Sequence, residues 1–321
     1  MDYRPTHFKL PDDDTWPGND DFPPYLFNED IAVAVDVALS TRRPLLIAGP
    51  PGSGKSMLAP AMADLLNSRY LRHTFTSRSR LDELTSELDH LRRLHEAQAR
   101  IHETLPPEWA YREPGLLWWA FDPDSARRRG ATEEKVQQLG TAFKTPDVPA
   151  GAGEGGDAVI LLDEIDKAEP DLPNDLLEPL DRLRFQVPNG PEVRASAKAT
   201  FLVVITTNGE RELPPAFLRR CVSLVLKHPS RERLVDIARH HFSKSQKIDN
   251  KTLKVVAERF HALRKQAHHE GLRLPSTSEY LDAVRAANKL KMRTDNAFWA
   301  QLETAALVKN TDWTDELSEE D

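Results

Sequence analysis

The sequence predicts an α/β fold: a parallel sheet flanked by helices, followed by a small C-terminal α-helical domain. Three apolar runs carry the sheet: Pro44-Leu45-Leu46-Ile47-Ala48, Ala158-Val159-Ile160-Leu161-Leu162 and Phe201-Leu202-Val203-Val204-Ile205. Each is short, continuous and rich in branched side chains, as expected of strands covered on both faces. The first is followed by a glycine-rich stretch and the other two end in polar residues, and in open parallel sheets ligands bind at the carboxyl ends of the strands. Beyond Pro229 the apolar residues recur at helical spacing instead, over 230–243, 250–268, 276–292 and 297–309.

The first run leads into Gly49-Pro50-Pro51-Gly52-Ser53-Gly54-Lys55-Ser56, which fits the pattern G-x-x-x-x-G-K-[ST]. Glycines let backbone N–H groups close around phosphate oxygens, the Lys55 ammonium reaches the β and γ oxygens, and the Ser56 hydroxyl can ligate Mg²⁺. From Met57 to Leu66 the apolar spacing is helical, so the positive end of a helix faces the same anion.

The second run ends in Asp163-Glu164. Two carboxylates at a strand's carboxyl end suit a metal shell, through Asp163, and a polarised attacking water, through Glu164. The third run continues to Thr206-Thr207-Asn208, an amide placed to hold that water or a γ-phosphate. Leu213-Pro214-Pro215-Ala216-Phe217-Leu218-Arg219-Arg220-Cys221 then reads as a short helix ending in paired arginines. A forked guanidinium suits the phosphate bound by a neighbouring subunit. One of the pair is expected in an intrachain salt bridge, and Arg219 is the expected one.

Together these motifs, Walker A at 49–56, Walker B at Leu161-Leu162-Asp163-Glu164, Asn208 as sensor 1 and Arg220 after a short helix, resemble the P-loop NTPase core of AAA+ ATPases. Within that superfamily the chain resembles the MoxR-type ATPases of the dynein-related, helix-2-insert group, from about Pro24 to about Ala287. The phrases Asp163-Glu164-Ile165-Asp166-Lys167-Ala168, Asn174-Asp175-Leu176-Leu177-Glu178, Glu212-Leu213-Pro214-Pro215 and Pro275-Ser276-Thr277-Ser278-Glu279 carry the likeness.

The resemblance implies ATP and Mg²⁺ as cofactors. Gly49, Pro50, Pro51, Gly52, Ser53, Gly54, Lys55, Ser56 and Met57 would line the nucleotide, and Ser56 and Asp163 would hold the metal. Glu164, Asn208, Lys55 and Arg220 would be catalytic, with Arg220 acting in trans within a homo-hexameric ring. The adenine would lie near Tyr25 to Ile31. It further implies a chaperone-like activity that remodels or matures partner proteins, often ones with von Willebrand A domains. Two departures stand out: Ser276-Thr277-Ser278 lacks the usual sensor-2 arginine, for which Arg273 or Arg285 are the nearby substitutes, and Arg219 stands where relatives often carry aspartate.

The expected organisation is an acidic, proline-containing tail over 1–24, a large ATPase domain over 25–228, a helical lid over 229–310 and an acidic tail over 311–321. Asn28 to Ser40 reads as a helix capped by Asn28, Arg69 to Thr76 as a strand and Leu81 to His102 as one long charged helix. Residues 81–121 occupy the place of the family's pore-facing insertion. Trp118 and Trp119 could grip a substrate there, although a buried helix over Leu116 to Phe121 is the favoured reading. Arg184 to Lys198, centred on Pro188-Asn189-Gly190-Pro191, reads as a hairpin, which AAA+ relatives use as a pore loop.

Of the formal charge of -8, the segments 1–30 and 311–321 contribute -6 each, leaving about +4 for the rest. Solvated acidic ends are expected, and the interior falls short of the basic footprint of a dedicated DNA binder. Ala126-Arg127-Arg128-Arg129-Gly130 reads as three exposed cations. Cys221, the single cysteine, excludes a disulfide framework and reads as a buried small residue rather than a reactive thiolate. His95, His102 and His268-His269 show no metal spacing. No run reaches the length of a membrane span and the start is not a signal peptide, so the expected location is cytoplasmic. A nucleotide-regulated scaffold, or the NTPase component of a defence or restriction system acting with nucleic acid, is the alternative reading.

Overall fold

A computed structural model of the protein describes residues 1, 3–99, 104–153, 155–242, 248–292, 299 and 307. The chain divides into two compact units, one formed by Met1–Asp14, Phe27–Ala48 and Ser56–Val225, the other by Thr15–Leu26, Gly49–Lys55 and the residues from Leu226 on. The sequence readings over 311–321, at His102 and, apart from Trp299 and Leu307, over most of 297–309 lie outside the described residues.

The first unit is built on a five-stranded sheet in the spatial order Val222–Val225, Leu45–Ala48, Phe201–Thr207, Ala158–Asp163 and Arg69–Thr74. All four pairings are parallel. The three central strands are those predicted from their apolar runs, and Ala158–Asp163 is buried along its whole length. Because the strands run the same way, Ala48, Thr207, Asp163 and Thr74 end at one edge of the sheet. Helix Glu29–Thr41 starts as its sequence predicts: Asn28 accepts the Ile31 N–H at 2.9 Å, and Glu29 and Asp30 occupy the first turn.

The amino-terminal segment packs instead of trailing in solvent. Asp36, buried in that helix, accepts from Tyr3 Oη at 2.5 Å, from the Thr6 N–H at 2.9 Å and from the His7 N–H at 2.8 Å, while Phe8 and Leu10 are buried. Burial raises the Asp36 pKa, but the bonds from Tyr3, Thr6 and His7 outweigh it and hold the carboxyl well below its ordinary range.

The long helix expected over Leu81 to His102 is broken. Leu81–Leu84 is a single turn, Ser86–Leu88 pairs antiparallel with Arg112–Pro114, and a new helix, His90–Gln98, begins at an Asp89 cap that accepts the Arg92 N–H. The strand pairing overrides the helical spacing, and Leu91 is left 82% exposed on the second helix. Glu96 on its inner side is buried, accepting from Tyr111 Oη at 2.7 Å, Arg92 Nε at 3.1 Å and Lys144 Nζ at 3.4 Å.

The tryptophans are core residues. Leu116–Phe121 is a helix whose Trp118 and Trp119 are fully buried, their indole N–H groups donating to Ser125 Oγ at 3.2 Å and the Pro114 carbonyl at 3.1 Å. The arginine triplet is likewise not three solvated cations. Arg127 pairs with Asp124 and Arg128 with Glu133, while Arg129 is buried, ion-paired to Glu113 at 2.8 Å and bonded to the Lys144 carbonyl at 3.1 Å. The predicted hairpin is present, with Arg184–Gln186 against Glu192–Arg194. Its tip is held by Arg112, whose guanidinium donates to the carbonyls of Pro188 and Asn189.

The second unit contains the ribbon Thr15–Trp16 with Tyr25–Leu26 and the helices Arg231–Phe242, Asn250–Glu270 and Thr277–Lys289. These helices bury Leu234, Phe242, Val256, Phe260, Tyr280 and Val284 together, as their helical spacing predicts. Gly271, at φ +69°, ends the second helix by bonding back to Ala267 and His268.

Glu96 offers a direct check on the packing of helix His90–Gln98. Burial raises its pKa, yet the bonds from Tyr111, Arg92 and Lys144 win and bring it down to about 2. A lowered carboxylate stabilises the fold fully above its ordinary value near 4.5 and loses that contribution as pH falls toward about 2. Glu96→Ala, which strands the buried Tyr111 hydroxyl, is expected to cost about 1–3 kcal/mol in urea unfolding at pH 7. The difference from wild type should shrink as the pH is lowered through that window.

Candidate active site

The phosphate loop follows strand Leu45–Ala48 and precedes helix Leu58–Leu65, so the predicted order of strand, loop and helix is present. Gly52 and Gly54 have φ of +72° and +89°, conformations a side chain would strain. Gly52 also has no room for one: a Cβ there would fall 2.6 Å from Ser276 Cβ. Lys55 is buried against its own loop, its ammonium donating to the carbonyls of Gly49 at 2.7 Å and Pro50 at 3.0 Å. Ser53 Oγ is buried without a hydrogen-bond partner among the described residues. A buried orphan hydroxyl beside a glycine-rich loop fits a phosphate-binding role.

Ser276 caps helix Thr277–Lys289, and Ser278 in its first turn stands where the resembled family usually carries an arginine. Ser276 forms a capping box with Glu279, and Arg273 binds Glu279 at 2.8 Å instead of reaching outward. Arg285 pairs with Asp282 at 2.8 Å. Both proposed substitutes for the missing sensor arginine are thus engaged within their own helical unit. His228 is pushed down to about 4, by burial and by the positive charges of Arg264 and Lys55, and is neutral at pH 7.

In the first unit, the carboxyl edge of the sheet brings together residues far apart in sequence. Asp163 is only 3% exposed. Its Oδ1 accepts from Ser56 Oγ at 2.7 Å and from Thr206 Oγ1 at 2.6 Å, and its Oδ2 accepts from Arg72 Nη2 at 2.7 Å. The hydroxyl of Ser56 and the carboxylate of Asp163 are hard oxygen donors in contact, a set that fits Mg²⁺. Glu164 follows in the left-handed region, at φ +61°, so the chain turns sharply at the end of its strand. Its N–H donates to Thr206 Oγ1 at 2.9 Å.

The Glu164 carboxylate has two neighbours. Lys167 Nζ donates to Oε2 at 2.7 Å, and Asn208 Nδ2 lies 3.5 Å from Oε1. The bond to Glu164 raises the pKa of Lys167, keeping it charged. Asn208 is fixed from behind, because buried Asp166 accepts both its N–H and that of Glu210 at 3.0 Å. Asp163, Glu164, Ser56 and Asn208 are therefore brought together. Thr206, Arg72, Lys167 and Asp166 belong to the same cluster and were not singled out. Thr206 lies near the end of strand Phe201–Thr207, two residues before Asn208, so its nearness to that end was legible.

Arg220 stands apart from that cluster. It is exposed, with Nε 2.6 Å from Asp181 Oδ2. The intrachain pair expected of Arg219 thus belongs to Arg220, because Asp181 on helix Leu177–Arg182 lies within its reach. Arg219 is exposed and makes no ion pair among the described residues. Burial, reinforced by Asp181 and opposed by Arg43, pushes the neighbouring Cys221 thiol up to about 12.

Residues 45–228 match the ATPase family associated with various cellular activities (AAA). No curated protein matches the sequence. Among solved structures, two single-residue mutants of Thermotoga maritima RuvB are similar, with 13% and 11% sequence identity and a TM-score of 0.44. Each comparison covers 86% of this chain and 67% of the RuvB chain.

Two outcomes follow from the geometry. Thr206→Val keeps the shape but leaves the Glu164 N–H and the buried Asp163 Oδ1 each one bond short, so a loss of about 1–3 kcal/mol is expected in denaturant titration. Cys221, with a thiol pKa of about 12, should resist iodoacetamide at pH 8, where roughly one thiol in ten thousand is ionised, and react readily once urea unfolds the chain.

Proposed function

The chain belongs to the AAA family of ATPases, and from that premise we propose that it is a MoxR-type ATP-hydrolysing machine that works as a homo-hexameric ring. The observation that carries this reading is the convergence of Ser56, Asp163, Glu164 and Asn208 at the carboxyl edge of one parallel sheet. Ser56 directly follows Lys55 in the chain. The phosphate loop and the carboxylate strand would then serve one nucleotide.

In this reading the loop N–H groups and Lys55 bind the phosphates, and Ser56 with Asp163 would hold Mg²⁺. The metal, when bound, supplies positive charge against the phosphate oxygens. Glu164 draws a proton from the attacking water, and Asn208 orients that water. Arg220 completes the site of a neighbouring copy by stabilising charge that develops on the transferred phosphate. The energy released would drive remodelling of a partner protein, with von Willebrand A-domain proteins as the class suggested by the MoxR resemblance, in the cytoplasm. No described helix is long and apolar enough to cross a membrane.

Two ion pairs bear on regulation. Glu164 is bound by Lys167 and Arg220 by Asp181 in the single chain, so basal turnover should be slow until assembly exchanges those partners. Measured as phosphate release against protein concentration, wild-type turnover is expected to rise steeply as rings form, with ATP stabilising them in mass measurements. Glu164→Gln should retain nucleotide binding and lose at least about 10² in kcat, and Arg220→Ala about 10³. Binding without turnover at every concentration would instead favour a nucleotide-regulated scaffold.

A further inference from the structure

We propose that Arg72 is a positioning residue for the nucleotide's divalent cation: it occupies Asp163 Oδ2 as a resident positive charge and gives that oxygen up when the cation binds. The inference rests on the reading of Ser56 and Asp163 as the metal-holding pair, and it assigns a role to a residue outside the phosphate-loop and carboxylate motifs.

The placement follows from strand register. Arg72 lies on the edge strand Arg69–Thr74 opposite Leu161, and Thr74 lies opposite Asp163. Side chains two apart on a strand share a face, so Arg72 looks along that face toward the carboxylate, and its Nη2 meets Oδ2 at 2.7 Å. The two oxygens of Asp163 are thereby divided. Oδ1 is committed to the hydroxyls of Ser56 and Thr206, both neutral, and Oδ2 faces the guanidinium.

The two partners differ in freedom. The Asp163 side chain is 5% exposed and tied by neighbouring elements, whereas that of Arg72 is 50% exposed. Arg72 can therefore swing toward water while Asp163 stays in place. A metal beside the Ser56 hydroxyl draws on the same negative charge that Arg72 neutralises, and a unit charge a few ångströms away opposes a dication even in a partly hydrated site. Arg72 then sets how much metal the site requires. It also keeps Asp163 oriented while the cation is absent.

This competition separates the proposal from a plain structural role. If Arg72 merely propped up Asp163, its loss would weaken metal binding; if it competes, its loss strengthens it. The test uses the full chain with saturating ADP, titrated with Mn²⁺ and followed by electron paramagnetic resonance of the free ion, for wild type, Arg72→Gln and Arg72→Lys. ADP binding in the absence of metal, measured with a fluorescent ADP analogue, and thermal melting are recorded in parallel.

Arg72→Gln is expected to bind Mn²⁺ roughly tenfold more tightly than wild type, while Arg72→Lys, which keeps the charge, stays near wild type. An unchanged or weaker Mn²⁺ midpoint in Arg72→Gln, with native melting, overturns the proposal alone. A wild type that binds ADP in neither the presence nor the absence of metal overturns the proposal together with the functional reading beneath it. Should Arg72→Gln fail to fold, Arg72→Met and Arg72→Lys carry the same comparison, and equal midpoints in those two overturn it as well.

Discussion

A carboxylate sealed at the end of a parallel strand must be compensated by donors, and much of the site's architecture follows from how Asp163 is satisfied. An unpaired buried charge costs several kcal/mol, so the donors around it are structural requirements as well as functional parts. They come from three elements: Ser56 at the start of the phosphate-loop helix, Thr206 on the adjacent central strand and Arg72 on the edge strand. A slip of one residue in either strand pairing would turn Thr206 or Arg72 to the opposite face and leave the carboxylate short. Thr206 then passes the constraint on, because the same hydroxyl accepts the N–H of Glu164 and fixes the sharp turn there.

Glu164 and Arg220, to which the proposed mechanism gives chemical work, are held by contacts of a different strength. Glu164 with Lys167 and Arg220 with Asp181 are partly exposed pairs, and such pairs are typically worth no more than about 1 kcal/mol. A phosphate or a neighbouring subunit can exchange them at little cost. Asp163 and Asp166, in contrast, are buried and multiply bonded. The buried carboxylates are thus firmly held and the exposed pairs easily exchanged, as the proposed assembly-dependent mechanism requires.

Much of this was legible in the sequence for local reasons. An apolar run followed by a glycine-rich loop and a helical repeat specifies its strand, turn and helix within a few residues, and Asp163, Glu164 and Asn208 lie at the ends of such runs. What was hidden depends on distant pairing. Arg72 meets Asp163 only because two strands 91 residues apart in sequence lie side by side. The segment after Leu81 carries helical spacing, yet Ser86–Leu88 becomes a strand because Arg112–Pro114 offers it a ladder. The arginine triplet misleads in the same way, since the partner that buries Arg129 is Glu113 on that ribbon.

Those arginines explain how the ribbon Ser86–Leu88 with Arg112–Pro114 and the hairpin keep their positions. Arg129 is 2% exposed and bound to Glu113, and Arg112, also buried, reaches across to the hairpin carbonyls at Pro188 and Asn189. There is no space to loosen the contact gradually: a Cβ on Gly190 would come within 3.0 Å of the Arg112 guanidinium, and one on Gly130 within 2.7 Å of Pro191. Leaving a buried guanidinium without its partner is costly, reaching about 3–5 kcal/mol where both partners are buried, whereas an exposed pair is worth no more than about 1 kcal/mol. The ribbon Ser86–Leu88 with Arg112–Pro114 is thus joined to the hairpin Arg184–Arg194 through Arg112, and Trp118 is buried against Phe185 of that hairpin. Trp118 and Trp119 are buried and serve as packing.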